Sequence, residues 1–308
     1  MAKKVNVLMA VYNGKKFLSE QLDSVLRQSY SDFDLIVCDD CSNDGSADIL
    51  RCYAEKDSRI KVIFNENNIG FKKNFEKLSE FSDSEYVAFC DQDDIWTDTH
   101  IEKLLSIIGD KDLACGNAEL INENGKSLNI TTKNNANLQF IPKKKEEQFF
   151  YLMHNNFAQG TTILLKSDLL KIALPIPDDV KYHDWWLTCV AASRNGCAYT
   201  DEILLFYRQH GNNISDMSKK SRFDRIKNNM SDRTKKNSEY MERICFVKDF
   251  VERFGMNVSV ANEAVGFYEH LIKKRYLALP YFFKNYSKIY LSKSFSLFLF
   301  RFFKTFFL

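Results

Sequence analysis

Two hydrophobic periods alternate along the first third of the chain, and this alternation limits the fold more than any other feature. Short apolar runs at 5–10, 34–38, 60–64 and 86–90 have the length and composition of buried strands. Between the first two, 17–29 sets Leu18, Leu22, Val25 and Leu26 at helical spacing; 46–56 and 71–81 also read as helices. Strand, helix and strand in repeated order predict crossover units, hence an α/β fold with a mostly parallel sheet flanked by helices. Such sheets bind ligands outside the carboxyl ends of their strands. The chemically unusual residues fall there: Val11-Tyr12-Asn13-Gly14, Asp39-Asp40 and Asp91-Gln92-Asp93-Asp94.

Beyond residue 96 the pattern loosens. A helix is expected after Ile95-Trp96 and a strand at 112–117. A turn is expected at 122–125 and a flexible polar loop at 129–137. A helix at 146–154, a strand at 161–165 and a short helix at 167–171 follow. A helix at 184–194 and one or two strands over 198–207 complete the region. From about Lys219 the chain reads as helices only. The expected division is a catalytic domain over 1–215, with a nucleotide-binding half to about 95 and an acceptor half over 96–215, then a helical region over 216–308.

Composition closes off several classes. Lys and Arg number 43 against 41 Asp and Glu, a formal charge of +2, so nucleic acid is not an expected partner. With 45% hydrophobic residues the chain is ordinary globular material, not disordered or collagen-like. Met1-Ala2-Lys3-Lys4 runs straight into the first strand, so no secretory leader is expected. The eight cysteines lie at irregular spacing, mostly in apolar stretches, and read as reduced thiols of the cytosol. The Cys38 and Cys41 pair has no second CxxC to complete a zinc site.

After Glu269 no acidic residue remains, while Lys273, Lys274, Arg275, Lys284, Lys288, Lys293, Arg301 and Lys304 are set among Phe, Tyr and Leu. This pattern predicts amphipathic helix on an anionic membrane surface, peripheral on the inner face of the cell membrane. The alternative is packing on the catalytic domain or on a partner subunit. A homo-oligomer is left open.

Asp91 and Asp93, two residues apart beyond a buried strand, can meet one hard cation, Mn²⁺ or Mg²⁺, which completes its shell with water and substrate phosphates. Asp94 reads as a third participant or a helix cap. Asp39 and Asp40 suit either turn chemistry or a base and ribose. Asp184, beside Trp185 and Trp186, reads as a helix cap or as a partly desolvated general base. Tyr207-Arg208-Gln209-His210 reads as a polar loop after a strand, or as a site in which the histidine suits a metal and the arginine a phosphate.

Taken in order, Ala10-Val11-Tyr12-Asn13-Gly14, Asp39-Asp40, Asn67-Asn68-Ile69-Gly70, Asp91-Gln92-Asp93-Asp94, His183-Asp184 and Arg208-Gln209-His210 resemble glycosyltransferase family 2, over about 5–213. The resemblance implies the GT-A fold, a Rossmann-like nucleotide-diphospho-sugar transferase sheet. Within the family, Cys90-Asp91-Gln92-Asp93-Asp94-Ile95-Trp96, Gln159-Gly160-Thr161 and His183-Asp184-Trp185-Trp186 resemble bacterial rhamnosyltransferase-type members, which build O-antigen, capsule or other surface polysaccharide.

The resemblance implies roles. Ala10, Val11, Tyr12, Asn13, Asp39, Asp40, Asn68, Gly70, Asp91, Gln92 and Arg208 would bind a dTDP- or UDP-linked sugar, with Arg208 steadying the diphosphate. Asp91, Asp93 and His210 would hold Mn²⁺ or Mg²⁺. Asp184 would be the catalytic base. Gln159, Gly160, Trp185 and Trp186 would face an oligosaccharide or lipid-linked acceptor. Many members carry Glu-Asp at the base position where this chain has His183-Asp184, leaving open what the glutamate would contribute. A sugar nucleotidyltransferase would need a Gly-rich basic loop after the first strand, and a nicotinamide oxidoreductase a GxGxxG; residues 11–16 supply neither. A nucleotide-sugar-binding scaffold without turnover is the remaining rival, opposed by the presence of Asp91, Asp93 and Asp184.

Overall fold

Val5, Val7, Leu8 and Met9 are all fully buried, so the first strand has protein on both faces, as an inner parallel strand requires. The computed structural model describes residues 4–211, 233–255 and 258–306; Asn212 and Asn213, and the expected start of the helical region at Lys219, lie outside the described residues.

The elements run β1 (Val5–Val11), α1 (Lys15–Leu26), β2 (Phe33–Asp39), α2 (Ser46–Lys56), β3 (Ile60–Phe64), α3 (Phe71–Glu80), β4 (Tyr86–Cys90), β5 (Ile95–Trp96), α4 (His100–Ile108), β6 (Leu113–Asn122) and β7 (Ser127–Thr131). There follow α5 (Thr132–Asn135), α6 (Lys145–Leu152), a 3₁₀ turn (Gly160–Thr162), β8 (Leu164–Lys166), α7 (Ser167–Ala173), α8 (His183–Ser193) and β9 (Cys197–Gln209). The helices α9 (Arg233–Phe254), α10 (Val258–Lys273), α11 (Leu279–Tyr290) and α12 (Phe295–Phe306) complete the described chain.

One sheet runs in the order β3-β2-β1-β4-β8-β6-β9-β5, with β7 on β6. β3, β2, β1 and β4 are mutually parallel, as the crossover pattern predicts. β8 is antiparallel to both β4 and β6, while β6 and β9 are parallel. The mixed, mostly parallel sheet flanked by helices is the expected GT-A architecture. Register sets Val11 beside Asp39 and Met9 beside Cys90, so the carboxyl ends of β1, β2 and β4 finish together.

Three local expectations change. Residues 129–137, expected as a loop, supply the end of β7 and the helical turn α5, because Ser127–Thr131 finds an edge on β6. The strand expected at 161–165 begins later, since Gly160–Thr162 forms a 3₁₀ turn. Ile95-Trp96 pairs with β9 as a short strand that no periodicity signals.

The chain divides into two compact units. The first takes in Met1–Thr132, Ala158–Ile176 and Tyr182–Asn212; the second takes in Lys133–Phe157, Pro177–Lys181 and Asn213–Leu308. The division is therefore not a single cut along the sequence. The second unit has its own core, in which Ile244, Phe267, Tyr268, Leu271, Ala278, Phe282 and Tyr286 are buried together. No helix among the described residues is long and apolar enough to cross a membrane.

The β6–β9 contact has a close approach. A Cβ at Gly116 would lie 2.5 Å from Leu204 Cδ1 and 2.8 Å from Thr200 Cγ2. Gly116→Ala therefore overpacks the sheet, with an expected cost of about 1–3 kcal/mol. A thermal melt should show the loss, and Leu204→Ala in the same chain should return part of it.

Candidate active site

The site lies at the carboxyl edge of the parallel strands and is assembled from loops bonded to one another. The loop after β1 is fastened to the loop after β2. Asn13 N donates to Ser42 Oγ at 2.8 Å, Gly14 N to Ser46 Oγ at 2.9 Å, Lys15 N to Asp44 Oδ2 at 2.9 Å, and Asn43 N to Asn13 Oδ1 at 2.9 Å. Asn13 holds a left-handed φ of 50°, which asparagine tolerates better than most residues. Ser42, Asp44 and Ser46, none of them singled out by the sequence, carry this interlock.

The same β1 loop is clipped to the loop after β4. Gln92 receives the Tyr12 N–H on Oε1 at 2.8 Å and donates Nε2 to the Tyr12 carbonyl at 3.1 Å. Gln92, expected on the donor, is thus tied to the backbone of Tyr12, whose ring is 48% exposed. Ala10 is half-buried and Val11 buried beneath it.

Asp39 and Asp40 have separate tasks. Asp40 accepts from Asn65 Nδ2 at 2.8 Å, Ile69 N at 2.9 Å and Gly70 N at 2.8 Å. Its own carbonyl accepts from Asn68 Nδ2 at 3.3 Å. Asp40, Asn68 and Gly70, all expected at the nucleotide, therefore brace one loop against another. Asp39 spends Oδ2 on Ser42 N at 3.1 Å, but its Oδ1 is buried and meets no donor among the described residues. A buried acceptor of this kind suits an incoming N–H or hydroxyl.

Carboxylates converge beyond β4. Asp91 is half-buried, and its proton affinity is raised by lost hydration first, then by the negative charges of Asp93 and Asp184. Asp93 Oδ2 lies 2.8 Å from His210 Nε2. Asp94 is buried, raised well above the usual range by desolvation and its acidic neighbours, and accepts from Arg208 N at 3.0 Å. That bond ties the acidic loop to β9.

Arg208 corrects an expectation. Its guanidinium donates to the Asp93 carbonyl at 2.8 Å, the Glu123 carbonyl at 3.0 Å and Glu20 Oε2 at 2.6 Å, and lies over the Phe17 ring at 4.7 Å. With its side chain 2% exposed, it braces the acidic loop and does not reach a diphosphate. Glu20 and Phe17 were missed because nothing in the sequence links α1 to a strand 188 residues away.

Asp184 stands in the first turn of α8, where the helix dipole favours negative charge. Burial pushes its carboxyl up to about 6, against hydrogen bonds from the Trp185 and Gly160 N–H groups that lower it. The Trp185 N–H bond measures 2.6 Å. Gly160 fits closely: a Cβ there would lie 3.3 Å from His183 Nε2 and 3.6 Å from Asp184 Cβ. Gly160 thus positions the carboxylate, while half-buried Gln159 turns the chain by accepting from Thr162 N at 2.8 Å. His183 lies among Phe75, Phe89 and Phe71 at 4.8, 5.4 and 6.1 Å, and burial lowers its pKa to about 4, so it is neutral. Trp186 is a second correction: it is fully buried and donates Nε1 to the Ala173 carbonyl at 2.9 Å, so it does not face an acceptor. Trp185 is half-buried.

Among the described residues no three His, Cys, Asp or Glu side chains are gathered where they could hold a metal ion. The nearest approach to a donor set is the Asp93 and His210 pair, so a divalent ion there would have to take most of its ligands from phosphates and water. All eight cysteines are free thiols, and burial raises Cys38 to about 11, so the CxxC pair is not poised for redox work.

An open α/β sheet with a carboxylate-rich carboxyl edge and a base candidate on a facing helix defines a group-transfer site. The family model for Glycosyl transferase family 2 matches residues 6–172, more than half of the chain, and the chain belongs to that family. The putative teichuronic acid biosynthesis glycosyltransferase TuaG of Bacillus subtilis is 37% identical over 110 residues, covering 36% of this chain and 44% of that protein. The dTDP-rhamnosyl transferase RfbG of Shigella flexneri is 29% identical over 233 residues, covering 71% and 78%. Among solved structures, S. aureus TarS in complex with UDP-GlcNAc superposes with a TM-score of 0.59 at 16% identity, covering 93% of this chain and 78% of that one.

Gly14 and Gln92 should behave as one device. A Cβ on Gly14 would come within 2.3 Å of Gln92 Oε1 and displace the clip on Tyr12. Gly14→Ala and Gln92→Ala should each weaken nucleotide binding about tenfold, the scale of two modest hydrogen bonds. Combined in one chain they should cost no more than either alone; additive losses in a binding titration would reject the shared cause.

Proposed function

We propose that the protein is an inverting, metal-dependent glycosyltransferase. It moves a sugar from a dTDP- or UDP-linked donor onto a hydroxyl of a growing cell-surface polysaccharide or lipid-linked oligosaccharide. The observation that carries this reading is that Asp93 and Asp184 both lie near enough to Asp91 for their negative charges to raise its proton affinity. One carboxylate is then available to an acceptor, and the others to a nucleotide diphosphate.

Asp39 Oδ1 would accept a hydrogen bond from the base, beside Val11 and Tyr12. Asp91 and Asp93 would face the sugar and the diphosphate. Mn²⁺ or Mg²⁺, held by Asp93 and His210 with Asp91, would neutralise the departing diphosphate. The acceptor hydroxyl gives its proton to Asp184 as its oxygen bonds to the anomeric carbon. The bond from that carbon to the diphosphate oxygen breaks on the opposite face. The transition state has oxocarbenium character, and one displacement inverts the centre. A carboxyl raised to about 6 is ionised at neutral pH yet more basic than an ordinary aspartate, which suits this task. The N–H groups of Trp185 and Gly160 hold its orientation, and His183, being neutral, adds no second charge beside it.

RfbG's name supports testing rhamnose first, and TuaG's supports a cell-surface polymer as the setting. A peripheral place on the inner membrane face is supported by the exposed rings of Phe283, Phe295 and Phe303 at 55%, 72% and 52% in a region without acidic residues.

A panel of nucleotide sugars, with Mn²⁺ or Mg²⁺ and with chelator, tests the reaction. Asp184→Asn should lower kcat by about a hundredfold or more while donor affinity is kept, and Asp93→Ala should also weaken donor binding. Near-normal turnover in Asp184→Asn removes the base assignment. The base must be ionised to act, so kcat at saturating donor and metal should be level above its folded pKa and fall as pH drops through about 6. A profile flat down to pH 4 argues for another base.

A further inference from the structure

We propose that the second unit contains a binding site for a phosphoryl group, a phosphomonoester or diphosphate, in a cavity among its helices. The cavity measures about 210 Å³ and is lined by Lys236, Arg243, Arg301 and Lys304 with one carboxylate, Glu239. That volume is many times the ~10–15 Å³ that a single water needs. Buried His154 is held by the hydroxyls of Tyr268 and Tyr281, both at 3.0 Å, and burial drives its pKa down to about 3, so it adds no charge. Four cations therefore face one anion.

Lys236 supplies the second observation. It is 9% exposed, and its Nζ is buried without a hydrogen-bond partner. An unpaired buried ammonium is costly, and such groups concentrate where a ligand brings the missing charge. The two arginines lie over aromatic rings. Arg243 lies over Tyr268 at 5.8 Å and also donates to the His154 carbonyl, while Arg301 lies over Tyr290 at 5.0 Å. Two guanidinium groups together with lysines offer the several donors that the acceptor oxygens of a phosphoryl group need. Arg301 and Lys304 come from α12, which also carries the exposed Phe295 and Phe303. A phosphate on a lipid would engage both features at once, whereas a free phosphate would engage only the cavity.

The site does not depend on the glycosyl-transfer reading, and its test is kept apart from that reading. Full-length protein carrying Asp93→Ala is studied with chelator present, so that metal-assisted binding at the acidic loop contributes nothing. Inorganic pyrophosphate is titrated by calorimetry. In parallel the protein is sedimented with phosphatidylcholine vesicles, with and without phosphatidic acid. Binding is expected in at least one arm, weakened about tenfold or more by Lys236→Met. Since Lys236→Met removes an unpaired buried charge, it should melt no lower than its parent; half-buried Arg301→Gln gives an independent test if it does. Vesicle binding that pyrophosphate displaces assigns the site to a lipid phosphate, and pyrophosphate binding alone assigns it to a free one. No binding in either arm, or binding unchanged in both variants, overturns the proposal.

Discussion

The Arg208 guanidinium reaches the Asp93 carbonyl, the Glu123 carbonyl and the Glu20 carboxylate while resting on Phe17. It thereby joins the end of β9, the acidic loop, the β6–β7 turn and α1. The residue's backbone N–H also has an electrostatic use. Asp91, Asp93 and Asp94 crowd one loop, and their repulsion raises Asp91 and Asp94. Arg208 works against that rise through the N–H it donates to Asp94. Its partners consume the fork, so the residue that motif reasoning assigns to substrate is the one on which the loop's shape depends.

Much of the first unit was legible. The parallel half of the sheet followed from alternating periods, and the location of the site followed from where Asp39 and Asp91 fall relative to strand ends. What stayed hidden was the direction of individual side chains. Asp39 and Asp40 are neighbours in sequence, yet one keeps a buried oxygen open and the other is committed to Asn65, Ile69 and Gly70. Trp185 and Trp186 divide likewise, because successive helical positions point to different surroundings. Ile95-Trp96 is too short for a period to declare it, and only the edge of β9 makes it a strand.

Two carboxyls raised by related causes have different prospects. Asp91 is raised by desolvation and then by neighbours of like charge, so a cation or a bound diphosphate's counter-ion changes its state directly. Asp184 is raised first of all by burial, against backbone N–H groups that lower it, so its state is set mainly by the protein. Environments that separate two carboxyls in this way assign them separate roles without any difference in side-chain chemistry.

The second unit draws residues 133–157 from the middle of the chain and its long helices from the end. Phe149 of α6 meets Phe250 of α9 with ring centroids 5.4 Å apart. During synthesis on a ribosome, α6 therefore emerges long before its aromatic partner exists. For that interval its apolar face must be shielded by water-averse contacts of other kinds, or by a chaperone. A messenger that ends early would leave this face permanently uncovered, so loss of the last helices endangers solubility by way of a segment far from the break.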